Sequence, residues 1–265
     1  MSEFDLKEHN RKAWDEESRE GSEWCTPVGE EVIDRARRGD VRLKLTPNRI
    51  LPGDWLVDIK GKEVLCLGSG GGQQAPILAA AGARVTSYDI SKEQLLKDVY
   101  VADRDGLEIH TVNGDIGDLS GFGGESFDLL VNAVSNIFIP DVKKFWRECF
   151  RLLRPGGELL AAFMNPSFFL FDHDRAMHSG HLIVEYGIPY SDLTSLEEER
   201  LGELIQDEVP VIFGHTLEQQ IGGQTEAGFV ILGLIEDDWN DDATPLNRYS
   251  PTTIVTRAVK NKDKR

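Results

Sequence analysis

The strongest constraint on this chain is a glycine turn wedged between an apolar run and a helix-like run, Glu63-Val-Leu-Cys-Leu-Gly-Ser-Gly-Gly-Gly-Gln73. Residues 63–67 are strand formers ended by Gly68, and Gln73–Ala81 reads as a helix stopped by Gly82. The alternation then repeats. Arg84–Asp89 and Ile109–Val112 read as strands around a helix at Lys92–Asp105. Phe127–Asn132 is a fourth strand, followed by a helix near Val142–Leu153, a turn at Arg154-Pro-Gly-Gly157 and a fifth strand at Glu158–Phe163. Short buried strands alternating with helices predict an α/β fold with a doubly wound, mostly parallel sheet. Thr216–Gly228 reads as a helix with Thr216 as its N-cap, and Phe229–Ile235 and Thr253–Val259 add two more strands.

The flanks break this rhythm. Residues 1–60 predict an N-terminal helical extension, with Trp14 as the largest anchor of a first helix over Asp5–Glu20. A second helix over Glu30–Arg38 closes at Gly39, and the two prolines in Leu45–Asp54 predict a loop. Residues 61–265 form the main domain, with a cap inserted at about 166–215. Within the cap, strands at His181–Tyr186 and Val209–Phe213 flank an acidic stretch, Glu197-Glu-Glu199. Lys260–Arg265 reads as a frayed basic tail.

Composition narrows the function classes. With 29 basic and 46 acidic side chains in 265 residues, the net charge is −17, which repels nucleic acid and anionic lipid at long range. The nearby basic residues Lys143, Lys144, Arg147, Arg151 and Arg154 suit the wet side of one amphipathic helix. Cys25, Cys66 and Cys149 form no C-x-x-C pair and suit a reducing compartment. The charged N-terminus has no signal-peptide pattern, and no apolar run reaches the roughly 20 residues of a membrane span. These features predict a cytoplasmic protein without nucleic-acid or membrane partners, as a monomer or homodimer.

The glycine turn opens where an open α/β sheet binds ligands, and glycines there allow sharp turns and close approach. The second strand ends in Asp89, about twenty residues on, where an acid can accept both hydroxyls of a ribose. That geometry selects a nucleoside without separating NAD from S-adenosylmethionine. A dinucleotide turn needs a third glycine for its pyrophosphate, and Gln73 stands in its place. The amides of Gln73 and Gln74 suit a carboxylate better.

Val64-Leu-Cys-Leu-Gly-Ser-Gly-Gly-Gly72 resembles motif I of class I S-adenosylmethionine-dependent methyltransferases, and Val85-Thr-Ser-Tyr-Asp-Ile90 is similar to their second motif. Gly114-Asp115-Ile116, Phe127-Asp-Leu-Leu130, Leu153-Arg-Pro-Gly-Gly157 and Ala227-Gly-Phe229 resemble further motifs in the same order. The resemblance covers roughly residues 60–165 and 216–260 and implies seven strands ending in an antiparallel hairpin. It implies an enzyme with S-adenosylmethionine bound by Gly68, Ser69, Gly70, Gly72, Gln73, Gln74, Asp89, Ile90, Gln94, Gly114, Asp115, Ile116, Asn132 and Ala133. Asp115 would contact the adenine amino group. The family commonly carries an acid where Cys66 stands, so the cofactor's ammonium would fall to carbonyls at Asn132 or Ala133.

Methyl transfer from sulfonium is an in-line displacement that mostly requires alignment and exclusion of water. Catalytic residues are therefore left unassigned, with His173 the first candidate if a base exists. The Asn/Asp-Pro-Pro-Tyr/Phe signature of amide and base methylation is absent after strand four, where Asn132-Ala-Val-Ser-Asn136 stands. The expected acceptor is a small molecule. Ser135 and Asn136 either position it or cap the next turn; Phe168, Phe169, Phe171 and Tyr190 either wall its pocket or pack a core. Asp172-His-Asp174 alternates direction in an extended segment and predicts no metal site. Trp14 and Trp24 are placed to close over the cofactor. Two rivals remain: a nucleotide-dependent oxidoreductase, and a non-catalytic sensor that binds S-adenosylmethionine.

Overall fold

The computed structural model describes residues 4–56, 58–240 and 243–261. α1 (Leu6–Glu20) starts where the Asp5 carboxylate accepts the Glu8 amide, and it ends on left-handed Gly21. α2 (Glu30–Arg37) carries acids in its first turn and arginines in its last, which complements the helix dipole. After them come β1 (Glu63–Leu67), α3 (Gln74–Ala80), β2 (Arg84–Asp89), α4 (Lys92–Asp105), β3 (Ile109–Asn113) and β4 (Phe127–Ala133). α5 (Val142–Leu152) buries Phe145, Trp146 and Cys149, while its basic face pairs Lys143 with Glu226 and Arg151 with Glu148. β5 (Leu153–Met164) follows directly.

The cap departs from its expected form. Its histidine segment is a helix, α6 (His173–Ser179), because the Asp172 side chain caps it and Gly180 closes it. His181–Tyr186 is not a strand and keeps only a bridge from Val184 to Phe171. β6 (Tyr190–Ser191) leads into α7 (Asp192–Ser195), and the acidic stretch opens α8 (Glu198–Gln206), where acids suit a helix N-terminus. β7 (Phe213–Gly214) pairs with β6. Local capping outweighed the short apolar runs. Beyond them, Thr216 and Gln219 exchange side-chain bonds with each other's amides, a π-turn spans Glu218–Gly222, and α9 (Gly223–Ala227) ends at Gly228.

β8 (Phe229–Asp237) and β9 (Thr253–Lys260) complete a seven-stranded sheet of order β3-β2-β1-β4-β5-β9-β8. Pairing is parallel from β3 to β5, while β9 runs antiparallel to both β5 and β8. The expected turn at 154–157 lies inside β5, where the register with β4 jumps from Leu153 to Glu158. Lys260 is a strand end and not a frayed tail, because its ammonium donates to the Leu153 carbonyl at 2.8 Å. Residues 262–265 of that expected tail lie outside the described residues.

One sheet face packs Val64, Cys66, Val131 and Leu160 against α3 and against Leu43, Leu51, Trp55 and Ile59 of the N-terminal segment. The other packs Leu65, Leu67, Leu130 and Ala161 against α5, with Trp146 fully buried. A helix-period apolar stripe drives this second core. Truncation of Trp146 should cost about 3–5 kcal/mol, so Trp146→Ala is expected to unfold at distinctly lower urea with an unchanged slope.

Candidate functional site

Strand order reverses between β1 and β4, so the connections from their carboxyl ends diverge and open a crevice. A cavity of about 1170 Å³ occupies it. Its walls include Gly68, Ser69, Gly70, Gln73, Gln74, Asp89, Ile90, Gln94, Asp115, Ile116 and Ala133 from the expected set. Gly72, Gly114 and Asn132 do not line it; they stand behind it. Asn132 donates to the Leu67 carbonyl at 3.1 Å, and the Ser135 hydroxyl donates to the same carbonyl at 3.0 Å.

The glycines are required by the chain itself as well as lining the cavity at Gly68 and Gly70. A Cβ on Gly68, at φ 56°, would strike the Ser135 hydroxyl. One on Gly71, at φ 91°, would lie 2.5 Å from the Trp24 carbonyl oxygen. Residues 23–28 thus cross the turn as a strap. The Val28 amide donates to the Gly72 carbonyl, and the Gln73 amide group donates to the carbonyls of Glu23 and Thr26. Gln74 donates to the Lys44 carbonyl and Gln94 to the Cys25 sulfur. The side-chain N–H groups of these glutamines hold the N-terminal segment. Gly71→Ala should loosen the strap and cost about 1–3 kcal/mol, read as faster amide exchange over 22–28.

Two buried acids stand behind the turn. Asp89 accepts the Gly70 amide at 3.0 Å and the Ser91 amide at 2.8 Å. Burial pushes its carboxyl up to about 6. Asp98 is fully buried and accepts the Gly72 amide at 3.0 Å and the Ser87 hydroxyl at 2.6 Å; burial raises it to about 7. Nothing local marks Asp98 beyond its place on a helix. Cys66 is likewise buried, and desolvation pushes its thiol well up. Val134, at φ 64°, is a β-branched residue in the left-handed region on the cavity wall, held by its amide bond to the Ala162 carbonyl.

The aromatic residues divide between the cavity and a small core. Trp14 lines the cavity edge-on to Phe138, and Trp24 lines it edge-on to Trp239. Phe168, Phe169, Phe171 and Tyr190 do not line it; Phe169 and Tyr190 belong to a small core with Ile137 and Met164. Asn136 is fully buried against Gln220. His173 also lies away from the cavity. Its Nε2 donates to the Phe168 carbonyl, which leaves Nδ1 to accept the Thr244 hydroxyl. Both nitrogens are engaged, so it is not a candidate base.

A far wall missed in the sequence holds Arg35, Arg42, Lys44 and Thr46. The Thr46 hydroxyl is buried without a hydrogen-bond partner. Arg35 makes no ion pair among the described residues. Alternating Arg42-Leu-Lys44-Leu was the available signal, masked by the prolines that follow.

Because Asp89 has a higher pKa folded than unfolded, the folded state holds the extra proton between about pH 4 and about pH 6. Its contribution to stability is therefore lost as pH rises through that window. The stability of Asp89→Asn relative to wild type should increase from about pH 4 to about pH 6 in urea titrations of the ligand-free protein.

Comparison with known proteins agrees with this architecture. A family model described as a methyltransferase domain matches residues 65–161. A Bacillus subtilis (strain 168) protein named uncharacterized methyltransferase YbaJ is 45% identical over 255 residues, covering 96% of this chain and 98% of that one. Among solved structures, an S-adenosylmethionine dependent methyltransferase from Mesorhizobium loti aligns with TM-score 0.59 at 17% identity, over 78% of this chain and 94% of that one. A Burkholderia thailandensis 1,6-didemethyltoxoflavin-N1-methyltransferase, solved with 1,6-didemethyltoxoflavin and S-adenosylhomocysteine, aligns with TM-score 0.58 at 14% identity over 98% and 92%. The nucleotide-dependent oxidoreductase is set aside. The chain belongs to the class I S-adenosylmethionine-dependent methyltransferase family.

Proposed function

We propose that the cavity binds S-adenosylmethionine across the glycine turn and methylates a small, largely apolar acceptor beside it. The observation that carries this reading is a single cavity of about 1170 Å³, with acids on one wall and aromatic residues on another. One drug-sized ligand typically fills roughly 300–1,000 Å³, so the space suits two. The residues present fit the cofactor. Asp89 keeps lone pairs for ribose hydroxyls beyond its two backbone bonds, and Asp115 has an oxygen free of its own bond to the Gly117 amide. Thr46, Lys44 and Arg35 suit the carboxylate of the amino-acid end, in place of the engaged amides of Gln73 and Gln74.

When bound, the sulfonium supplies an electrophilic methyl group. The chain's part is alignment and exclusion of water. Ala133 and Val134 form the floor beside β4, fixed by the Val134–Ala162 bond, while Trp14, Phe138, Trp24 and Trp239 shield the space above. Aromatic side chains of this kind favour flat or apolar molecules. No helix among the described residues is long and apolar enough to cross a membrane. The charge of −17 disfavours nucleic-acid and anionic-membrane partners and supports a small-molecule acceptor.

The test is transfer of labelled methyl from S-adenosylmethionine into a fractionated metabolite extract, alongside calorimetric titration with S-adenosylhomocysteine. Arg35→Ala should weaken that ligand about tenfold through loss of a charged contact. Trp14→Ala should keep it and lose acceptor labelling. Stabilisation by NADH without any by S-adenosylhomocysteine would overturn the proposal.

A further inference from the structure

Behind the cofactor turn lies a directional chain of hydrogen bonds. Asp98 accepts the Ser87 hydroxyl at 2.6 Å, and Ser87 lies 3.0 Å from the Ser69 hydroxyl. Ser87 has one hydroxyl proton and gives it to Asp98. While Asp98 is ionised, the bond to Ser69 therefore has one direction: Ser69 donates and Ser87 accepts. Ser69 has then spent its proton and can offer only lone pairs, and Ser69 lines the cavity.

The carboxylate at the end of this chain has no cationic partner among the described residues. The groups that act on it are the Gly72 amide, the Ser87 hydroxyl, the neighbouring Asp89 and its own burial. Burial opposes its ionisation, so it is mostly charged only above about pH 7, and in that form its field reaches its neighbours with little screening. Cys66 pairs with Ser87 across β1 and β2, so both side chains share one sheet face. The Cys66 thiol, fully buried and with its pKa pushed up, brings no charge to that face.

We propose that Asp98, acting through Ser87, orients and polarises Ser69 as an acceptor for the cationic ammonium of the bound cofactor. Asp98 and Ser87 are positioning residues in this scheme, and Ser69 is the group that touches the ligand. The inference rests on reading the cavity as the cofactor site. It supplies from α4 the negative charge that β1 lacks at Cys66, and it lets one carboxylate both fix the Gly72 amide and face a cation through two hydroxyls.

The test compares two probes by calorimetry: S-adenosylhomocysteine, and 5′-methylthioadenosine, a thioether of the same nucleoside without the amino-acid chain. Asp98→Asn and Ser87→Ala are expected to weaken S-adenosylhomocysteine about tenfold, the scale of a charge-assisted hydrogen bond, and to leave methylthioadenosine unchanged. Ser87→Ala retains the Asp98–Gly72 bond and guards against a folding defect in the first variant. Equal weakening of both probes would mean a merely structural role, and no weakening would mean no role; either overturns the proposal. If the wild type binds neither probe, the cofactor reading itself fails, and this inference with it.

Discussion

Two backbone amides of one turn, those of Gly70 and Gly72, are each held by a buried carboxylate, and much of the molecule is arranged around that fact. Among the described residues neither acid pairs with a cation, so each depends on donors the fold supplies: backbone amides and a hydroxyl. Such donors work only while water is excluded and the backbone is fixed. β2 carries Asp89, α4 carries Asp98, and the strap presses the turn from the opposite side. Loss of any of the three would leave an amide or a carboxylate unpaired in an apolar setting. The crevice is thus shaped from behind, by groups that mostly do not face it.

Much of this was legible in the sequence because repetition carries information. Strand, glycine, helix and acid recur at spacings that only an open α/β sheet satisfies, and the ordered motifs narrowed that sheet to one family. Asp89 and Asp115 stood out because one ends a strand and the other lies two residues past one, where position fixes role. Asp98 did not, because a helical residue gives no sign of which neighbour it meets in three dimensions. Gln73 and Gln74 looked like ligand groups, yet their amides are drawn to the carbonyls of a segment 30–50 residues upstream. Contacts of that kind leave no local pattern to read.

The cap was the least legible part for a related reason. Its elements are short, and its strands have two residues each. At that length a single cap decides the outcome. Asp172 and Gly180 made a helix of the histidine segment, and His173 then spent both nitrogens on the Phe168 carbonyl and the Thr244 hydroxyl. A histidine near a strand end looked catalytic; its neighbours made it structural.

The reach of α1 has a consequence in time. Asn10 exchanges two hydrogen bonds with the backbone of Val211, and His9 bonds the Val209 carbonyl. These partners lie some two hundred residues apart, so on the ribosome the first helix must wait for most of the chain before it can seat. β1 to β5 can pair before then, whereas β8 and β9 follow Val211 in the chain and complete the sheet afterwards. The wall that α1 adds to the cavity is thus fixed by contacts made late in synthesis.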